Sequence, residues 1–217
     1  MGFPVGRINL LVKSAILHDI GALKLQQLPD AEDLDDGTKE VVKKNTQETL
    51  DRYGDLDEEV LRLITQMQEL YTRESDAEIP AGLKESVNAN ILYVADAYDR
   101  MTAMKSFEEP TSEVKAVREL LADEERYNKK IVNALIHGIS ILYPGVCVEL
   151  SNGEKGLVIT ENEDNIFEPT VLDFRNNNLY DLSDPSVKQT IEIADVMKTM
   201  DNRIKLDKSL LEEYQAN

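Results

Sequence analysis

The sequence predicts a mainly α-helical fold that ends in a small β-module and terminal helices, and three features carry that prediction. Apolar residues recur at helical spacing in successive segments as far as about residue 142. From Tyr143-Pro144-Gly145 onward the texture changes to short extended runs separated by turn residues. Hydrophobic residues make up 41% of the 217, enough to bury a core in one ordinary domain with an appendage, or in two modest ones. The change of texture places a helical domain at residues 1–142 and a β-hairpin module with C-terminal helices at 143–217.

Ile8, Leu11, Val12, Ala15 and Ile16 predict a first helix that runs up to His18-Asp19 and is stopped by Gly21. An acidic loop through Asp30 and Asp33 follows, and Asp35 or Asp36 can cap a helix from about Thr38 to Arg52, ended by Gly54. Asp57 opens a third helix with Val60, Leu61, Ile64, Met67 and Leu70 on one face, before the Pro80-Ala81-Gly82 break. A longer helix is predicted from about Lys84 to Met104, with Val87, Ile91, Leu92, Val94, Ala95 and Tyr98 facing inward. After Pro110, Thr111 or Ser112 caps a helix through Leu121, and another spans about Lys129 to Leu142. Val146–Leu150 and Gly156–Thr160 read as one strand pair, and Pro169–Phe174 and Asn178–Leu182 as a second around Arg175-Asn176-Asn177. Ser186–Met197 and Lys208–Tyr214 read as helices.

Charge narrows the function classes. Lysine and arginine total 24 against 42 aspartates and glutamates, a formal charge of −18 that repels phosphate backbones and anionic lipid headgroups. Nucleic acid and membrane partners are therefore disfavoured. The single cysteine, Cys147, allows no internal disulfide and fits a reducing cytosol. No apolar h-region precedes a cleavage site, and Gly6 stands where a myristoylation signal needs Ser or Thr, so the expected location is cytoplasmic.

The chemistry concentrates at His18-Asp19 and at Asp96 and Asp99, three apart on the predicted central helix. Two readings stand side by side. In one, His18 is a helix-end imidazole bonded to Asp96 or to a backbone carbonyl. In the other, imidazole and carboxylates are metal ligands. An aspartate within an apolar helix needs a partner, which either reading supplies. His137 reads as a packing residue between Ile136 and Ile139, and Met67, Met101 and Met104 as core filler.

Three stretches together resemble the HD superfamily and, within it, the HD-GYP branch of cyclic di-GMP phosphodiesterases. Ala15-Ile16-Leu17-His18-Asp19-Ile20-Gly21 resembles the first motif and Val94-Ala95-Asp96-Ala97-Tyr98-Asp99-Arg100-Met101-Thr102 the late aspartate motif. Tyr143-Pro144-Gly145 through Leu150-Ser151-Asn152-Gly153-Glu154-Lys155-Gly156 resembles the β-segment that follows in some members, so the likeness covers roughly residues 8–175. It implies a helical HD core in which His18, Asp19 and Asp96 would bind iron or another divalent metal.

The departures are as specific as the matches. Lys43-Lys44-Asn45 and Met67-Gln68-Glu69 stand where further ligand histidines are expected, the Gly-Tyr-Pro signature is missing, and no upstream histidine helix lies within the chain. Ala22 replaces a lysine, and Lys105-Ser106-Phe107-Glu108 replaces a basic phosphate clamp, which disfavours cyclic di-GMP; Lys24 and Lys105 could at most form a weak anion site. Amide and thioether groups are poorer ligands for iron, manganese or zinc than imidazole, so no cofactor is expected beyond one weakly held divalent ion.

The expected function is accordingly a catalytically impaired HD-GYP-like module of bacterial signalling, with no catalytic residue, acting through a protein partner or self-association. The alternative is a metal-dependent phosphohydrolase that uses a reduced site of His18, Asp19 and Asp96, completed by a partner chain or an additional N-terminal helix.

Overall fold

The computed structural model describes residues 2–25, 36–53, 56–71, 80–104 and 109–197. Among them are eight α-helices, a 3-10 turn and five strands. The expected loop aspartates Asp30, Asp33 and Asp35, the stop at Gly54, the clamp residues Lys105, Ser106, Phe107 and Glu108, and the helix over Lys208–Tyr214 lie outside the described residues, as does the side chain of Asp36.

The chain divides into two compact units, one formed by residues 1–111 and 120–134, the other by 112–119 and 135–217. In the first, α1 (Val5–Leu17) is followed by the 3-10 turn Ile20–Lys24, α2 (Asp36–Tyr53), α3 (Glu58–Tyr71), the short α4 (Ala81–Glu85) and α5 (Val87–Thr102). Asp57 caps α3 as its sequence indicates, its carboxylate accepting the Glu59 N–H at 2.9 Å. Leu50, Val60 and Ile64 form a buried cluster against which Leu10, Leu17 and Ile20 pack, so α1, the turn, α2 and α3 share one apolar interior.

The single helix expected over Lys84–Met104 is in fact two. Ser86 has an extended ψ of 92°, and the Asn90 amide donates to the carbonyls of Leu83, Lys84 and Ser86, satisfying groups that a helix end leaves open. Within α5, Val87 and Ala95 are exposed, while Tyr93 and Ala97 are buried. Met67 is buried as expected, whereas Met104 is almost fully exposed and His137 lies on the surface rather than in packing.

Two helices lead on to the sheet. In α6 (Glu113–Ala122), Ser112 is the cap, its hydroxyl accepting the Lys115 N–H at 3.3 Å. The next helix, α7 (Lys129–Ile139), stops short of the expected Leu142, at Ser140 with φ +45°.

Strands β1 (Cys147–Leu150), β2 (Lys155–Thr160), β3 (Thr170–Asp173) and β4 (Leu179–Asp181) form the two expected hairpins. Gly153 and Asn177 take the positive φ that their turns require. The segment expected to be helical after Ser186 contains only α8 (Pro185–Lys188), followed by β5 (Ile193–Val196). Ile191, Ile193 and Asp195 are buried at every second position, a strand period that the short window concealed. β5 pairs antiparallel with β1, and the sheet order is β4-β3-β2-β1-β5.

Candidate functional site at the end of the first helix

His18 forms the C-terminal cap of α1 in a helical conformation. Its Nδ1 lies 2.7 Å from the Ala15 carbonyl, so Nδ1 carries the proton and Nε2 faces Asp96, 3.4 Å away on α5. A neutral ring of that tautomer would turn a lone pair toward a carboxylate. Burial opposes the charged ring, but the Asp96 and Ala15 interactions and the charges of Asp96 and Asp19 outweigh it and raise the His18 pKa above its ordinary value.

Asp96 uses its other oxygen on Arg100, one turn along α5, at 2.8 Å. Arg100 in turn lies over the Tyr71 ring at 4.2 Å. His18 and Asp96 are thus brought together as expected, with Arg100 as a third member. Sequence reasoning missed Arg100, although its i, i+4 spacing from Asp96 was legible. Asp19 is exposed and contributes to the site only as a nearby charge, and Asp99 is exposed on the same helix.

The 3-10 turn seats this corner on α2. Gly21 donates its N–H to Thr46 Oγ1 at 3.0 Å in a buried contact. A Cβ on Gly21 would stand 2.3 Å from the Val42 carbonyl oxygen and 2.4 Å from the Thr46 nitrogen, so glycine is required by the approach of two backbones. Asn45 reaches the Gly21 carbonyl at 3.5 Å. From α3 the buried Gln68 donates Nε2 to the His18 carbonyl at 2.8 Å, while Met67 sits in the apolar interior. Lys24, read above as half of a weak anion site, bonds the Asn45 carbonyl and pairs with Glu48 at 3.7 Å.

Whether these groups suit the divalent metal that the resemblance implies can be judged from the donor set. His18 is oriented as metal-binding histidines are, with Nδ1–H held by a carbonyl. The remainder does not fit. The Asp96 carboxylate holds a guanidinium, the Gln68 amide nitrogen donates to the His18 carbonyl, and among the described residues no three His, Cys, Asp or Glu side chains gather as a ligand set. What the arrangement does chemically is lock the end of α1 to α3 and α5 by polar contacts.

Comparison with known proteins adds one match. The family model described as the HD domain matches residues 5–101, a little under half of the chain, and spans both His18-Asp19 and Asp96. No curated protein matches the chain. Among the described residues no helix is long and apolar enough to cross a membrane.

Proposed function

From an HD domain at residues 5–101, we propose that this chain is a non-catalytic, HD-GYP-like domain that works as a regulatory or protein-interaction module in bacterial signalling. The observation that carries the reading is the Asp96 carboxylate, whose two oxygens face His18 and Arg100. A carboxylate neutralised in this way is a poor ligand for a divalent ion, because a metal must displace or crowd a fixed cation 2.8 Å away. Activation of water between two metals would need several more ligands than Asn45, Met67 and Gln68 supply.

The interaction side of the proposal rests on α1. Val5, Ile8, Val12 and Ile16 recur three or four residues apart and are 72%, 46%, 51% and 70% exposed, a continuous apolar stripe opposite the buried Ser14. A stripe of that kind suits a partner helix or a second copy of the chain.

Metal analysis of protein purified without chelator tests the reading. We expect far less than one iron, manganese or zinc per chain, no hydrolysis of cyclic di-GMP or of a generic phosphodiester with any of these metals added, and no cyclic di-GMP binding by calorimetry. Stoichiometric metal that disappears in His18→Ala would overturn the non-catalytic reading and, together with phosphodiester turnover, favour the metal-dependent phosphohydrolase reading, which the orientation of the His18 ring supports.

A further inference from the structure

Carboxylates outnumber cations heavily in this chain, yet one open cleft of about 310 Å³ gathers cations. Lys84 at the end of α4 faces it, together with Arg126 and the first two residues of α7, Lys129 and Lys130. Two carboxylates share the wall. Glu124 is already paired with Lys129 at 2.5 Å, which leaves Glu125 against Lys84, Arg126 and Lys130. Those three cations make no ion pair among the described residues.

Arg126 is held by Asp123, whose carboxylate accepts its backbone N–H at 2.9 Å and lies near its guanidinium, and by two tyrosines. Its Nε donates to Tyr93 Oη at 2.6 Å, and the guanidinium lies within 6.0 Å of the Tyr93 ring and 5.6 Å of the Tyr127 ring, which stack on each other. That contact uses Nε and leaves the two Nη groups for a further acceptor. A fixed guanidinium fork of this kind chelates two oxygens of one anion.

We infer that this cleft binds a small phosphomonoester. Lys84, Arg126, Lys129 and Lys130 outnumber Glu124, Glu125 and the adjoining Asp123, so the cleft stays net positive in a chain of charge −18 and suits a phosphate held by the Arg126 fork. The cleft is larger than a bare phosphate needs, which leaves room for a phosphate that carries an organic group such as a nucleoside or a sugar. Glu125 lines the same cleft, and a carboxylate there accepts hydrogen bonds from hydroxyls. The site is separate from His18 and holds whether or not the domain is catalytic.

The test is an amide-shift NMR titration of the full chain at low ionic strength, where the net charge of −18 and the local cations are both least screened. Adenosine monophosphate, inorganic phosphate, sulfate and adenosine are the probes. Saturable shifts of the amides around residues 126–132 are expected with adenosine monophosphate, weaker ones with inorganic phosphate, and none with adenosine. The double variant Lys84→Gln, Lys130→Gln should weaken adenosine monophosphate binding about tenfold or more, with an unchanged circular dichroism spectrum. Absence of saturation, equal affinity for adenosine or sulfate, or the same affinity in the double variant would each overturn the inference.

Discussion

At the residue scale the corner around His18 is fixed by backbone approach as much as by side chains. Gly21 reads in sequence as a helix stop, but its role is to let the 3-10 turn touch α2, because a methyl group would sit 2.3 Å from the Val42 oxygen. Gly21→Ala should therefore destabilise the protein by about 1–3 kcal/mol through forced displacement. Gly82→Ala, with nothing within 4 Å of the added carbon in α4, should be neutral or stabilise by up to about 1 kcal/mol. Urea titration of the two variants gives the comparison. That Asp96 needs a partner was legible, because a carboxylate within an apolar helix must be compensated, but the structure decided that the partner is His18. Gln68 was legible only as a missing ligand, since nothing in the sequence shows that its amide would reach the His18 carbonyl fifty positions away.

At the scale of elements, α1 carries two apolar faces, and only one of them is covered. Periodicity predicts the helix but gives the same signal for a stripe that packs inward and one that faces solvent. Val12→Glu on the exposed stripe should change stability by less than about 0.5 kcal/mol while abolishing self-association or partner binding, as read by light scattering behind size exclusion. Association unchanged by the substitution would remove α1 as the contact surface.

The last strand shows the converse. β5 is held to α6 by the buried Asp195, which accepts from Lys115 at 2.9 Å, while the Arg118 guanidinium donates to the Ile193 carbonyl. Burial pushes the Asp195 pKa upward, but Ser112, Lys115 and the Val196 N–H outweigh it and leave the carboxyl below its ordinary value. A depressed native pKa adds stability that is full above the unfolded value of about 4 and is lost as pH falls through the native one. Asp195→Asn should therefore cost stability at pH 7, by about 1–2 kcal/mol, and bring the wild-type and variant unfolding curves together below about pH 3.

For the whole molecule, a charge of −18 implies self-repulsion in the compact state. Raising the salt from about 0.01 M to about 0.3 M shortens the screening length roughly fivefold and should raise the melting temperature by several degrees, as calorimetry can check. A fall in melting temperature would mean that attractive ion pairs outweigh the repulsion.

By itself the sequence determined the helical class, the turn to β-structure after Tyr143 and both hairpins. Each of these is a local period or a turn chemistry that neighbouring residues state directly. Only the tertiary structure decided the break at Ser86, the strand at Ile193 and the solvent-facing stripe of α1. Each of those depends on which surface a distant segment covers, and a strand of four residues or a helix with two apolar faces acquires its meaning from the neighbour that buries it.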